Sequence, residues 1–345
     1  FRLAKRDTSF MEAVAKLKKH KLYPGPVLII LATSSTVWAT QEAAEQFKGA
    51  EMKLGSLNFL EVVRHFESLP VAEIVRIYGA IGGVPAYLDK WDAAKSFKDN
   101  ICRLVLTPSG ALYGEADAVI SAELRELSAY STILAAIARG ENKLNDIFHA
   151  TGFSRAKISV YLKNLATFNI VEKVVSFETG GWENAKKGVY QIKDTFVNFW
   201  FKFVYPNMSN LYLLSPEEFY DTYIEKELDA YLERYFREVC TEYLLILNQM
   251  GQLPFTIKRV GTWIGKTGRI DIVAQSEDRR SIIGFCNWDK PMMTMDMCEN
   301  MAMAMDQARL TSDDYYLFSA TDFEPALQSY VVRDPRFKLI NMNEL

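Results

Sequence analysis

Few residues in this chain have types and spacings that could do chemistry, and the first of them shape backbone. Tyr78-Gly-Ala-Ile-Gly-Gly-Val-Pro-Ala-Tyr-Leu88 interrupts a helical, aromatic-rich pattern with a glycine pair and a proline. Gly82 and Gly83 can take dihedrals closed to other residues, while Pro85 fixes its own φ and pushes Val84 out of the helical region. On residue types alone this is a rigid turn between two helices. Gly265-Lys266-Thr267 has the look of a phosphate loop but lacks its frame. Only three residues separate Gly261 from Gly265, where four are required, and Arg269-Ile-Asp-Ile-Val273 behind it reads as a strand. A phosphate loop needs a helix there, whose N-terminus holds the anion. Lys266-Thr-Gly268 is therefore expected to be a hairpin turn, and the sequence holds no other phosphate loop.

The remaining reactive side chains form no obvious cluster. Cys102, Cys240, Cys286 and Cys298 are too far apart to form a metal-ligand pair and read as free thiols of a reducing cytosol. His20, His65 and His149 fall in different elements, which leaves a hydrolase triad without support. Seven of the twelve methionines lie between Met292 and Met305. Soft thioethers suit Cu(I), but Met297, Met301 and Met305 share one helical face, and core packing is the stronger reading.

These residues must be positioned by two or three domains, given 345 residues and a 49% hydrophobic composition. A net charge of -3 excludes a basic-coated nucleic-acid binder and leaves room only for a local patch. The longest apolar runs, such as Val27 to Ala32, fall far below the roughly 18 residues that span a bilayer, and the opening residues lack a signal peptide's apolar region. The chain therefore reads as cytoplasmic, with no membrane partner. Its start at Phe1 rather than Met suggests a fragment.

An amphipathic helix is expected over residues 8 to 20, followed by a buried parallel strand at Val27 to Ala32. Thr33-Ser34-Ser35-Thr36 would then place hydroxyls at the carboxyl edge of a sheet, where α/β folds bind ligands. Capping of the next helix is an equal alternative. Residues 57 to 126 read as helical with breaks at Leu69-Pro70, the glycine turn and Thr107 to Gly110. From Ser131 three short helices follow, the third capped by Ser154 after Gly152. Two β-rich stretches, Ile170 to Phe177 and Gly188 to Ile192, complete the order of a winged helix. The aromatic run Phe196 to Tyr205 reads as packing between domains. A long helix at about 216 to 249, strands at 257 to 263, 269 to 274 and 281 to 288, the methionine-rich helix and a strand at 315 to 319 make an α/β C-terminal domain.

Ile-Gly-Gly-Val-Pro-Ala-Tyr-Leu at 81 to 88 resembles the Gly-Gly-x-Pro-x-Tyr-Leu signature of the archaeal-type ATPases, P-loop proteins of the STAND branch of the AAA+ group. The resemblance runs to the last residue and implies an α/β and α+β multidomain chain. In this reading residues 1-56 end a P-loop core, 57-127 form a helical lid, 128-195 a winged helix, and 196-345 linker helices with a restriction-nuclease-like domain. It further implies ATP and Mg2+ as cofactors, with Gly82, Gly83 and Pro85 near the adenine and Ser34 as a sensor 1 residue. Phe1-Arg2 resembles the residues after the Walker B acidic pair, so the phosphate-binding half is expected upstream. The arginine that the family often carries before the lid is missing from residues 40 to 56, where Lys48 and Lys53 cannot supply its planar fork.

Asp271, with the strand Ile282 to Trp288, resembles the strand pair in which restriction-type nucleases hold magnesium through an Asp and a Glu-x-Lys. Here the Glu position is Phe285 and the Lys position Asn287. One carboxylate makes a poor magnesium site, so an inactive nuclease-like domain is expected. Arg155, Lys157 and Lys163 on the third short helix are phosphate-contact types, and Ser154, Ser159 and Asn164 are sized for base edges. Glu141, Asp146, Glu172 and Glu178 dilute that charge. The expected function is ATP-dependent switching of the winged helix and C-terminal domain. The alternative is a module that binds double-stranded DNA, a protein partner or another copy of itself without turnover.

Overall fold

The computed structural model describes residues 8–19, 28–33, 52–122, 124–177, 188–265 and 268–345. Ser34, residues 178–187 with Thr179-Gly-Gly181 between the two β-rich stretches, and Lys266-Thr267 lie outside the described residues. The chain divides into two compact units, Phe1–Gly55 and Ser56–Leu345.

In the first unit, α1 (Thr8–Lys19) forms as its apolar spacing dictates, with Val14 buried. The buried parallel strand expected at Val27 to Ala32 does not form over its described residues. Residues 28–33 are irregular, and Leu28 and Ile30 are 83% and 78% exposed. An apolar run becomes a strand only when neighbours satisfy its backbone groups. Among the described residues of this unit there is no other strand to do so.

The second unit begins with short helices: α2 (Phe59–His65), α3 (Val71–Ile81), α4 (Pro85–Leu88), α5 (Phe97–Ile101) and α6 (Glu115–Ser121). A π-helical turn at Cys102–Leu106 extends α5. The expected breaks are present, with a further one at 89–96. Asn58 caps α2 through a reciprocal pair with Glu61, and Pro85 occupies the first turn of α4, where its missing N–H costs nothing.

Three helices follow, α7 (Leu127–Ala138), α8 (Leu144–Thr151) and α9 (Arg155–Thr167). Gly152 ends α8 in the left-handed conformation, and the Ser154 hydroxyl accepts the Lys157 N–H to start α9. Strands β1 (Val171–Val174) and β2 (Val189–Ile192) pair antiparallel behind them. The aromatic run then continues as α10 (Thr195–Phe199) and a π-helical segment (Trp200–Val204), and Phe196, Phe199, Trp200, Phe201 and Phe203 are interior. After the single turn α11 (Met208–Leu211), the long helix expected at about 216 to 249 is two helices, α12 (Pro216–Tyr223) and α13 (Glu225–Gln249), parted at Ile224.

The C-terminal sheet has β3 (Arg259–Ile264), β4 (Arg269–Gln275), β5 (Ser281–Asn287), β7 (Asp314–Ser319) and β9 (Phe337–Asn341) side by side in that order. The first three strands are antiparallel and the last three parallel. A minor ladder joins β6 (Met292–Met293) to β8 (Asp322–Phe323). Helix α13 packs on one face of the sheet. The methionine-rich α14 (Met295–Ala308) and α15 (Pro325–Arg333) bury a second core against the other, where Met301, Met305 and Cys298 pack with Val273, Ile283 and Leu317. On the α13 side one continuous core runs from the sheet through the aromatic segment into α2 to α9. The structure is thus a mixed α/β chain in several helical and sheet layers.

A candidate site along the central helix

Helix α13 is 25 residues long, about 37 Å at 1.5 Å per residue. Tyr231, Arg234 and Arg237 stand three residues apart on it, and each step of three falls about 60° short of a full turn. Their side chains therefore fan out to different neighbours. The Tyr231 hydroxyl donates to the Gly79 carbonyl at 3.0 Å, three residues before the glycine turn. Arg234 donates through a terminal nitrogen to the Ile192 carbonyl of β2 at 2.8 Å and through Nε to Glu238 at 2.8 Å. Arg237 Nε donates to Asp271 Oδ1 of β4 at 2.9 Å. Nearer its C-terminus, the Glu242 carboxylate accepts the Phe59 and Leu60 N–H groups at 3.0 and 3.1 Å. These are free N–H groups of the first turn of α2, where a carboxylate also meets the positive end of the helix dipole.

The glycine turn is built by packing. A β-carbon on Gly83 would lie 1.9 Å from the Leu57 carbonyl oxygen, and the N–H of the same Leu57 donates to the Gly83 carbonyl at 2.8 Å. Gly82 has φ +67° and faces the Thr195 side chain. Both glycines are buried, whereas Pro85 and Ala86 are exposed. Gly79, one turn earlier, admits Leu232 and Tyr235 of α13 against its bare backbone. The turn thus holds residues 57, 79 to 83, 195 and 231 to 235 at close quarters.

Asp271 owes its direction to an irregularity that the sequence does not announce. Gly261 pairs with Val273 and Trp263 with Ile270, so Asp271 and Ile272 together oppose the single residue Thr262. Such a bulge re-aims side chains, and here it turns the Asp271 carboxylate toward α13. The Thr262 hydroxyl secures the bulge by donating to the Asp271 carbonyl at 2.9 Å. Oδ1 accepts from Arg237 and, at 3.1 Å, from Arg269 Nε; Oδ2 accepts the Cys286 N–H at 3.1 Å. Its two guanidinium partners neutralise the carboxylate where a metal ion would otherwise have to.

The other two positions of the nuclease resemblance do not join it. Phe285 packs in the second core, beneath α14. Asn287 is buried and donates to the Ser319 hydroxyl at 3.0 Å, the Thr321 hydroxyl at 3.2 Å and the Lys290 carbonyl at 3.2 Å. No group of three or more His, Cys, Asp or Glu side chains with metal-holding geometry occurs among the described residues. All four cysteines are free. Burial raises the Cys240 and Cys286 thiols, which lie against each other between α13 and β5, and so keeps them protonated.

The α9 face is differently built. Arg155 is exposed, but its guanidinium lies 4.0 Å from the Phe148 ring centre and donates to Asn145 Oδ1 at 2.9 Å. Lys157 lies over the Phe153 ring at 4.4 Å. Of the three residues sized for base edges, Ser154 is spent on the cap, Ser159 donates to the Arg155 carbonyl at 2.9 Å, and Asn164 donates to the Tyr130 hydroxyl at 2.8 Å. Lys163 and Val160 are exposed on the same helix. Among the described residues no helix is long and apolar enough to cross a membrane.

Sequence reasoning missed Tyr231, Arg234, Arg237 and Glu242. The signal available was the presence of two arginines on an otherwise acidic and aromatic helix.

A family model described as archaea bacterial proteins of unknown function, DUF234, matches residues 200–304. That stretch runs from the π-helical segment through α13 and the antiparallel strands into α14. An uncharacterized protein of Methanocaldococcus jannaschii is 30% identical over 243 residues, which cover 70% of this chain and 54% of the relative. The chain thus spans about half the length of that curated relative. No solved structure matches the chain.

Proposed function

We propose that this chain is the transmitting part of an ATP-dependent switch of the archaeal-type ATPase kind, with α13 as the element that couples its parts. In this reading α2 to α6 are the lid, α7 to α9 with β1 and β2 a winged helix, and the C-terminal sheet a nuclease-like scaffold without nuclease chemistry. The observation that carries it is the fan of Tyr231, Arg234 and Arg237 from one rigid helix to the backbone before the glycine turn, the β2 hairpin and the sheet. A displacement at the turn cannot stay local when its carbonyl is bonded to the helix that also holds the other two elements. The helix, helix, left-handed glycine, capped helix and hairpin order supports the winged-helix assignment. The mixed sheet with Asp271 at a bulge supports the nuclease-like one.

ATP and Mg2+ belong to this reading by resemblance. The sequence holds no phosphate loop, and the buried Gly82 and Gly83 leave only Val84 to Ala86 open to an adenine. The residues present do not by themselves fit a nucleotide's phosphates, so no hydrolytic step is derived. Hydrogen exchange of the full-length protein with and without MgATP tests the proposal. Nucleotide should alter exchange at Leu57 to Val84 and along α13; unchanged exchange in both at saturating nucleotide overturns it. Magnesium-dependent DNA cutting abolished by Asp271→Asn would overturn the inactive-nuclease assignment.

The second reading is a DNA-binding module without turnover, favoured by exposed Arg155 and Lys163 on one helix. Salt-dependent duplex binding that is lost on changing Arg155 and Lys157 to Ala supports it, and salt-insensitive or absent binding counts against it. Self-association or a protein partner would instead show as a concentration-dependent mass.

A further inference from the structure

The hairpin, the aromatic segment and α13 do not close completely on one another. They leave a cleft of about 280 Å³, lined by α7 residues Ile137 and Ala138, β2 residues Tyr190 to Ile192, Asn198, Lys202, Tyr231 and Arg234. A space of this size fits a small molecule rather than a side chain. Its walls are apolar at Ala138, Tyr190 and Ala230, which keep exposed surface, cationic at Arg234 and Lys202, and anionic at Glu227.

Arg234 is built into the wall. Its side chain is 20% exposed, and Nε and one terminal nitrogen are committed to Glu238 and the Ile192 carbonyl. The other terminal nitrogen lies 3.9 Å from Glu172, beyond hydrogen-bonding distance, and the nearer demand on that carboxylate comes from Gln191 at 2.6 Å. A guanidinium fixed on one side and under-used on the other presents a planar donor edge. Lys202, from the neighbouring segment, is paired at 2.6 Å with Glu227, whose side chain is 61% exposed at the cleft's edge. Solvent-exposed pairs of this kind open at little cost.

We propose that this cleft binds a small organic oxyanion, its phosphoryl or carboxylate head held by Arg234 and Lys202 and its apolar part lying against Ala138, Tyr190 and Ala230. Glu227 competes with the ligand for Lys202. Occupancy joins the hairpin to α13 at the point where Arg234 already bonds Ile192.

Thermal-shift titrations of the full chain with inorganic phosphate, succinate and chloride at matched ionic strength test the assignment. A saturable rise in the unfolding midpoint with phosphate or succinate, absent with chloride, is expected, and whichever oxyanion gives it identifies the head group. Lys202→Met should weaken that affinity about tenfold, as expected for one charge-assisted hydrogen bond, and Glu227→Gln should tighten it. Lys202 is 30% exposed, so its replacement leaves the fold intact. Neither oxyanion exceeding chloride, or Lys202→Met binding like the parent chain, overturns the proposal; the latter places the anion elsewhere, as on the α9 cations.

Discussion

Asp271 and the α9 face are two places where charged residues could meet a ligand, and they differ in how much of their bonding is already spent. Each Asp271 oxygen accepts a hydrogen bond from within the fold, and Oδ1 accepts two. On α9, Arg155 donates to one neighbour and rests on a ring, but it and Lys163 remain exposed. A carboxylate saturated by two arginines is a joint between α13 and β4. Exposed cations are available to a partner but contribute little to stability.

The widest separation between the two regions should come from Asp271→Ala. It leaves Arg237, 14% exposed, without its carboxylate and the Cys286 N–H without an acceptor. A loss of about 3–5 kcal/mol is expected in denaturant unfolding. A loss under about 1 kcal/mol would place Asp271 among surface groups and break the contrast.

Asp194 gives a smaller effect with a definite sign. Burial, and then the nearby Glu115 carboxylate, raise its carboxyl above the ordinary range against the pull of the Val197 and Phe196 N–H groups. A raised folded value means that its contribution is complete below the unfolded aspartate range and is lost as pH rises through the folded value. Asp194→Asn keeps an N-cap for α10 and removes the titration. The variant should lose less stability than the parent between acid and neutral pH in paired unfolding curves. An unchanged pH profile would show that the desolvation is ineffective.

The smallest effect on stability belongs to α9. Arg155→Ala and Lys163→Ala should each shift stability by no more than about 0.5 kcal/mol. If duplex binding occurs there, each should lower its salt slope by about 1. A large stability loss with no change in slope would make these residues structural, like Asp271.

Much of the fold was legible from the sequence, for identifiable reasons. The glycine turn, the Gly152 and Ser154 caps, and the strands β3 to β5 and β7 rest on local residue types, and each formed. Helix α15 and strand β9 were not read, because their mixed patterns give no clear period. The apolar run at Val27 to Ala32 was read as a strand because composition cannot show whether a ladder partner is present. The candidate site was less legible. Asp271 was singled out by the nuclease resemblance of its strand, but its role depends on a bulge opposite Thr262 and on Arg237, 34 residues away. The role of Tyr231 could not be read from its helix, since its hydroxyl bond to Gly79 spans 152 residues.

The central claim is that α13 makes the glycine turn, the hairpin and the sheet respond as one. Tyr231→Phe tests it most directly, because it removes the hydroxyl bond to Gly79 and costs about 1–2 kcal/mol while leaving the ring in place. Native-state hydrogen exchange should then quicken together at residues 77–82, at β2 and in β4 and β5. Faster exchange confined to residues 77–82 and the adjoining turn of α13 would contradict the account.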